Sequence, residues 1–445
     1  MLRRNLLAVV VAVAMASIQA PAFADGADSS SGRLAVRQHV DHLDLSSREP
    51  ALLRHRTGAL FVAGYGRDDD GEKQTTPRLW RSDDAGATWQ KVDVGTVAQG
   101  AIGNSDTSLA EGPDGTIYYA SLSFDRAGRQ GSTWSGGAVT IGVSHDVGRT
   151  WRWSTLSKNP HDDRPWIGVD AKGTAHVVWG DGEHVYHSTS SDQGASWAAP
   201  TAIHSGGGSS HMSVGPHGLI AVRITPIGAA GSVYHDHADT VAVSTDGGKS
   251  WAEHPAPGVR EWLGEEGSMP RWVEPLAWDA SGRLYLLWTQ ADGVHLGLST
   301  DEAATWRSWI VEPTRDDDLP YYPYLIARGD GELAATWYLG AGLGVKWKAA
   351  LIRVSGGRMA APSLSDAVSA DAWVPSSQAT FPRVRTSAGE YTGLAWGPDG
   401  SINVATPIQD ADGHRFGFAY YRFDPPARGH RPVAGAASGA TPAKH

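Results

Sequence analysis

The chain has 445 residues, of which 41% are hydrophobic and 19% are charged, a composition typical of a globular protein with a large core. It contains no cysteine, so disulfides are excluded, and its 19 tryptophans supply large side chains for a core or a ligand-binding face. Its formal net charge of −10 argues against binding to nucleic acid or to an anionic membrane surface.

Residues 1–24 are predicted to be a secretory signal peptide. Arg3 and Arg4 precede an apolar stretch at 6–18, and the final Ala24 fits a small-residue cleavage site. The alternative, a membrane anchor, is disfavoured because the apolar stretch has about 13 residues, whereas a spanning helix needs about 20. We therefore expect a secreted, extracellular protein without a membrane-inserted segment.

One eight-residue pattern occurs five times along the chain. The copies are SDDAGATW (82–89), SHDVGRTW (144–151), SSDQGASW (190–197), STDGGKSW (244–251) and STDEAATW (299–306). Their closing tryptophans are 62, 46, 54 and 55 residues apart, and a period near 50 is typical of propellers and solenoids.

The sequence between these copies also repeats. Each unit has a short apolar segment, a glycine turn and an alternating run, which predicts two strands, and a third and a fourth strand flank the octapeptide. The seven predicted units are 46–94, 104–156, 162–203, 208–256, 270–312, 320–363 and 388–424. Because a four-stranded unit cannot bury both faces alone, the sequence predicts an all-β, seven-bladed β-propeller with almost no helix.

The two ends of the chain are predicted to behave differently. The seventh unit lacks a fourth strand, and the strand-like segment 34–45 is expected to pair into that last blade and close the ring. We therefore predict one propeller domain over 34–424. The low-complexity tail 425–445 is expected to be disordered.

The octapeptide resembles the Asp-box, or BNR repeat, of sialidases and related β-propellers. Six blades are usual for sialidases, so a six-bladed sialidase-type ring is the alternative to seven blades. The repeated acids are expected to be structural: the carboxylate accepts turn N–H bonds, the glycine permits positive φ, and the tryptophan packs between blades. This interpretation covers Asp84, Asp146, Asp192, Asp246 and Asp301.

The resemblance also suggests catalytic residues. The segment after Arg48 is similar to the start of the first sialidase blade, which makes one acid of the run 68–70, taken as Asp69, the acid/base; a solvated acidic loop is the alternative. Tyr322 precedes an inner strand, as the sialidase nucleophile does, although it could simply pack over the channel. Such a tyrosine needs a neighbouring base, for which Glu274 is the candidate.

Sialidases hold the substrate carboxylate with three arginines, since a guanidinium matches a carboxylate bidentately. The candidates for this role are Arg48, Arg67, Arg223 and Arg271, with Arg164, Arg383 and Arg385 also at blade junctions. No complete triad is evident. The segment HDHAD (235–239) could bind a divalent metal, but a solvated loop is favoured, and no metal or cofactor is expected.

The sequence therefore predicts a secreted, sialidase-like glycoside hydrolase that acts on extracellular glycans, with exo-alpha-sialidase activity as the specific expectation. The alternative is a non-catalytic propeller that binds glycans or a protein partner. A third hypothesis is an enzyme of another glycan class, such as a lyase that uses His and Tyr. We expect a carbohydrate ligand, no nucleic-acid partner and a monomer.

Overall fold

The computed structural model describes residues 32–45, 47–65, 76–124, 136–206, 208–225, 239–258, 273–315, 319–341, 344–370, 391–409 and 416–426. The predicted signal peptide lies outside these residues, as does the tail beyond residue 426. Apart from strands, the described residues form two 3-10 turns, Val97–Gln99 and Pro216–Gly218.

Within the described ranges, thirty strands form seven antiparallel sheets, which are the blades of the propeller. The first strand of the chain is β1 (Ala35–His42). Blade 1 contains β2 (Arg48–Arg54), β3 (Leu60–Tyr65), β4 (Arg78–Ser82) and β5 (Gln90–Lys91). Blade 2 contains β6 (Thr107–Glu111), β7 (Ile117–Phe124), β8 (Gly136–Ser144) and β9 (Arg152–Ser157). Blade 3 contains β10 (Asp163–Val169), β11 (Ala175–Gly180), β12 (His184–Ser190) and β13 (Thr201–Ser205).

The next three blades follow the same order, with the outer edge of the sixth divided among short strands. Blade 4 contains β14 (Gly208–Val214), β15 (Ile220–Thr225), β16 (Thr240–Ser244) and β17 (Ala252–Pro255). Blade 5 contains β18 (Leu276–Trp278), β19 (Leu284–Gln290), β20 (Gly293–Ser299) and β21 (Arg307–Pro313). Blade 6 contains β22 (Leu319–Arg328), β23 (Glu332–Ala341) and β24 (Gly344–Ser355), edged by β25 (Arg358–Met359), β26 (Ser363–Leu364) and β27 (Val368–Ala370).

Blade 7 is completed by the N-terminal strand, as predicted. It contains β28 (Gly393–Trp396), β29 (Ile402–Gln409) and β30 (Phe416–Asp424), with β1 paired antiparallel to β30 as the outer strand. The His39 ring stacks on Tyr421 across this pair, with ring centroids 4.1 Å apart. The two ends of the chain thus share one sheet, which closes the ring.

Neighbouring blades contact each other through their first strands, from blade 1 through blade 7 and back to blade 1. The seven-bladed prediction is therefore confirmed, and the six-bladed alternative is wrong. Second strands such as β11, β15 and β19 are buried along their whole length. These strands are mostly apolar because blades cover both of their faces, and each fully buried Val or Leu side chain stabilises the fold by roughly 1.5–3 kcal/mol.

Each Asp-box joins the third strand of its blade to the fourth. In the copy at 244–251, the Ser244 hydroxyl donates to Asp246 Oδ1 at 2.9 Å and accepts from the Gly248 N–H at 2.8 Å. Asp246 also accepts from the Ser250 N–H and hydroxyl at 3.0 and 2.6 Å. The Asp246 carboxylate thus accepts hydrogen bonds from its own turn, which is the structural role predicted for it.

The other four copies repeat these hydrogen bonds. Their acids are Asp84, Asp146, Asp192 and Asp301. Hydrogen bonds from the Thr88 hydroxyl and backbone and from Ser82 lower the pKa of Asp84 to about 2. All five acids therefore remain ionised at neutral pH and serve the fold.

The antiparallel order places loops of different kinds on opposite faces of the ring. Glycine turns between first and second strands share one face with the Asp-boxes. Connections between blades arrive at the other face, where every first strand begins. We call this second face the mouth face.

Candidate functional site

Three first strands begin with the same irregularity at the mouth face. The pairing of β2, β10 and β22 with their second strands shifts register at a bulge. At these bulges Glu49, Arg164 and Tyr322 have φ of 48°, 52° and 44°, and each precedes a proline. Positive φ is uncommon in non-glycine residues and is further disfavoured before proline, so the fold holds these residues under strain.

Bulges of this kind re-aim side chains and are enriched next to active sites. The other described non-glycine residues with positive φ lie in Asp-box turns or in the turn at His217, on the opposite face. The three strained positions therefore select the mouth face as the candidate functional site.

Four rings from four blades meet at the axis of the propeller. Trp166 of blade 3 lies 4.7 Å from His211 of blade 4 and 5.3 Å from Tyr391 of blade 7, measured between ring centroids. His211 in turn lies 5.5 Å from Tyr324 of blade 6. We call these four residues the axial cluster. Burial lowers the pKa of His211 to about 4, so its imidazole is neutral at pH 7.

Polar groups from two other blades lie beside Tyr391. Its hydroxyl donates to Asp106 Oδ2 of blade 2 at 3.4 Å. The guanidinium carbon of Arg164, from blade 3, is 6.0 Å from the centroid of the Tyr391 ring. Because blade 1 separates blade 7 from blade 2, and blade 3 lies further round the ring, these contacts reach across the axis. A carboxylate, a phenol and a guanidinium are thus brought together at the mouth face.

Arg223, a predicted substrate-binding arginine, lies in an internal ion-pair network. Its guanidinium donates to Glu274 through Nε at 2.8 Å and through Nη2, and Nη2 also donates to Asp239. A further bond runs from Nη1 to the Thr240 carbonyl at 3.3 Å. Arg223 is fully buried and Glu274 is 1% exposed. The structure therefore brings two predicted site residues together, as partners of each other.

The remaining described candidates are also buried. The guanidinium carbon of Arg48 lies 3.1 Å from the centroid of the Phe416 ring, a cation–π contact to blade 7. Tyr322 packs edge-on against Tyr321, with ring centroids 5.3 Å apart. The other predicted site residues lie outside the described residues: Arg67, Asp69, Arg271, Arg383 and Arg385, together with His235 and His237.

A second acidic group lies beside the first strand of blade 3. Asp162 Oδ2 accepts from the Asn159 N–H at 3.1 Å, and the Asn159 side chain donates to Asp181 at 3.1 Å. Burial raises the pKa of Asp162 to about 6; hydrogen bonds oppose that rise and the charge of Asp181 adds to it. Among the described Asp and Glu residues, Asp162 is the one whose pKa is clearly raised.

Sequence reasoning did not single out Asp106, Asp162 or Tyr391. A usable signal did exist for two of them: Asp106 immediately precedes β6 and Tyr391 lies two residues before β28, whereas Tyr322, which was predicted to precede an inner strand, lies within β22. In addition, Tyr391 begins the run Tyr-Thr-Gly-Leu, which fits the Tyr-Ser-x-Leu-like context that was used to select Tyr322.

Two features are absent from the described part of the chain. No three His, Cys, Asp or Glu residues there are arranged to hold a metal ion. No helix within those ranges is long and apolar enough to cross a membrane.

Comparison with protein families identifies the repeat. A family described as BNR repeat-like domain matches residues 17–335, which is more than half of the chain. The chain belongs to the BNR repeat-like family. No curated protein matches this BNR repeat-like chain.

Solved structures resemble this BNR repeat-like protein at low sequence identity. A polysaccharide lyase described as an ulvan lyase is 12% identical with a TM-score of 0.50, covering 86% of this chain and 95% of that one. A Dyadobacter fermentans protein of unknown function is 12% identical with a TM-score of 0.45, covering 88% and 99%. A Hadza microbial sialidase is 18% identical with a TM-score of 0.41, covering 65% and 63%.

Proposed function

We propose that this BNR repeat-like propeller acts on glycans at its mouth face, as a glycoside hydrolase. The observation that carries the proposal is the convergence of a carboxylate, a phenol and a guanidinium on the axial cluster. Aromatic rings of that kind commonly pack against sugar rings, and the polar groups are of the types that glycoside hydrolysis needs. The same fold in a polysaccharide lyase is compatible with glycan chemistry, although fold alone does not assign an activity.

The specific proposal is that the protein is a secreted, extracellular exo-alpha-sialidase. In that assignment Asp69 protonates the leaving oxygen, Tyr322 attacks the anomeric carbon, and Glu274 accepts the tyrosine proton. Arg48, Arg67 and Arg271 would contact the substrate carboxylate. Because Arg223 donates to Glu274 and Asp239, its part in this assignment is to orient Glu274.

A second candidate function, glycan binding without catalysis, is favoured by that same ion-pair network. An arginine whose guanidinium donates to two buried carboxylates has little capacity left for a substrate carboxylate. Under this alternative the mouth face recognises glycans through the axial cluster and Arg164 alone.

Turnover measurements separate the two candidates. We expect the purified protein to cleave at least one substrate in a panel of fluorogenic glycosides that includes 4-methylumbelliferyl sialoside. Tyr285→Phe is a matched control, because Tyr285 donates to Asp279 at 3.2 Å on the Asp-box face, far from the mouth. Binding on a glycan array with no turnover on any glycoside would select the non-catalytic function instead.

A further inference from the structure

We infer that the protein has a second ligand site, a cavity at the outer edge of the ring that binds a small hydroxylated carboxylate such as a hexuronate. The cavity lies between the end of the fourth strand of blade 5 and the outer strands of blade 6, and residues 32–33 also line it. Its volume is about 450 Å³, within the range of about 300–1,000 Å³ typical of small-molecule sites. We call it the rim cavity. This site is separate from the proposed function, because no residue of the axial cluster lines it.

Five charged side chains line the rim cavity, and cations outnumber anions among them. The cations are Arg33, Arg315 and Lys348, and the anions are Glu312 and Asp366. The sign of this excess is opposite to that of the whole chain, whose formal net charge is −10. A monoanionic ligand would neutralise the excess, whereas a phosphate dianion would exceed it and face two carboxylates. The charge balance therefore favours a monocarboxylate.

A largely buried ion pair between blades 5 and 6 shows what else the ligand needs. Lys348 Nζ donates to Glu312 Oε1, and these two side chains are 20% and 11% exposed. Glu312 Oε2 is buried and has no hydrogen-bond partner among the described residues, which is costly for a carboxylate oxygen. Because the terminal torsion of a glutamate is broad, a rotation presents this oxygen to the cavity that Glu312 lines. A ligand hydroxyl that donates to it would stabilise the complex.

Two exposed arginines supply donors for the ligand carboxylate. Among the described residues Arg315 forms no ion pair, so its guanidinium can bind a carboxylate in the bidentate geometry. Arg33 pairs with Asp366, and these side chains are 66% and 69% exposed. An ion pair as exposed as this contributes little stability, so Arg33 can exchange Asp366 for a ligand at small cost.

Hydrogen bonds hold the remaining wall of the rim cavity in place. The Leu34 N–H donates to the Leu364 carbonyl at 3.1 Å, which ties the segment before β1 to blade 6. The Ser365 hydroxyl accepts from the Ala349 N–H at 2.9 Å and donates to the Asp366 carbonyl at 2.7 Å. Because this wall is already ordered, ligand binding requires little further loss of conformational freedom.

Calorimetric titration of the purified protein tests the ligand class with sodium glucuronate, methyl glucuronide, glucose and inorganic phosphate. We expect glucuronate to bind, and glucose and phosphate to bind at least about tenfold more weakly, because glucose lacks the carboxylate and phosphate carries excess charge. Binding of methyl glucuronide as well would identify the end of a glycan as the source of the ligand. Binding of glucuronate alone would identify the free acid.

Three variants test the location. Arg315→Gln should weaken glucuronate binding about tenfold or more, the loss expected when a charge-assisted hydrogen bond is removed. Ala367→Trp should block binding by filling the cavity, which Ala367 lines, without changing a charge. Arg37→Gln is the matched control, because Arg37 pairs with Asp424 in blade 7 and lines no part of the cavity, and it should bind glucuronate as the wild type does.

Hydrogen–deuterium exchange of the wild type locates the ligand without any variant. Glucuronate should slow exchange at 312–315 and 362–367, with no change at the axial cluster. Protection at the axial cluster alone, or glucuronate binding that survives both Arg315→Gln and Ala367→Trp, overturns the inference. So does tighter binding of glucose or phosphate, or no binding of glucuronate at all. Glycoside turnover is measured independently of these titrations, so failure of the rim cavity leaves the proposed function standing.

Discussion

Arg223 and Glu274 form a buried ion pair that ties the second strand of blade 4 to the segment leading into blade 5, and Asp239 joins it from the third strand. These three buried charges coexist because the Arg223 guanidinium donates hydrogen bonds to both carboxylates. Arg223 was predicted to bind a substrate carboxylate. Because its guanidinium is instead paired with Glu274 and Asp239, it stabilises the ring.

Replacing Arg223 should therefore lower the free energy of unfolding far more than replacing an exposed arginine. Arg223→Gln leaves two buried carboxylates without their cation, and we expect a loss of about 3–5 kcal/mol in urea unfolding. Arg37→Gln is the control, because Arg37 forms only an exposed pair with Asp424 and should cost about 1 kcal/mol or less. Similar losses for the two variants would show that the buried network contributes nothing special.

Neighbouring glycines of the fourth Asp-box provide a matched pair of substitutions. Gly247 and Gly248 both have positive φ, but a methyl group at Gly248 would overlap the His187 ring, whereas nothing lies near one at Gly247. We expect Gly247→Ala to cost about 1–2 kcal/mol from backbone strain and Gly248→Ala a further 1–3 kcal/mol from overpacking. Equal losses in denaturant unfolding would contradict the packing of box 4 against blade 3.

Two buried histidines should make the junction of blades 3 and 4 sensitive to acid. His176 Nδ1 lies 3.1 Å from His187 Nε2, and the pair can keep this hydrogen bond only while one nitrogen lacks a proton. Burial, with the charge of His176, lowers the pKa of His187 to about 3, and burial lowers that of His176, against the nearby Asp170. Because the folded pKa values are lowered, this stabilisation is complete above about pH 6.5 and is lost as pH falls toward 3.

The measurement is the melting temperature as a function of pH. Wild type should lose stability between about pH 6.5 and 3, and His187→Gln, which keeps a polar side chain but cannot titrate, should lose less over that interval. Parallel curves for the two proteins would sink this prediction.

Asp162 should have the opposite pH dependence. Its pKa is raised to about 6, mainly by burial, so the folded state prefers the protonated form and loses stability as pH rises through 6. Asp162→Asn mimics that form and keeps an acceptor for the Asn159 N–H. We expect the variant to melt higher than wild type at pH 8 and at the same temperature at pH 4. A lower melting temperature of the variant than of the wild type at pH 8 would contradict a raised pKa of Asp162.

The fold was predictable because its signals are local. Each Asp-box contains its own hydrogen-bond donors and acceptors within eight residues, and the spacing of these boxes sets the blade period. The unpaired last blade and the strand-like segment before the first blade then predicted closure by β1.

The candidate site was harder to predict because its contacts are remote in sequence. Tyr391 and Asp106 are 285 residues apart and meet only when the ring closes. Arg223 and Glu274 are 51 residues apart and lie in different blades, so no motif records their pairing. The family resemblance predicted which residue types to expect at the mouth face. The contacts of each residue depend on how the seven blades pack, which no local motif records.

The central claim, that glycans bind at the mouth face, is tested most directly by hydrogen–deuterium exchange. Exchange is measured for the protein alone and for the protein saturated with the oligosaccharide that binds most strongly on a glycan array. If the oligosaccharide binds at the mouth face, exchange should slow where first strands begin, at 105–109, 163–167 and 391–395. Exchange in the five Asp-boxes should not change. Protection of the Asp-boxes, with none where the first strands begin, would contradict the account.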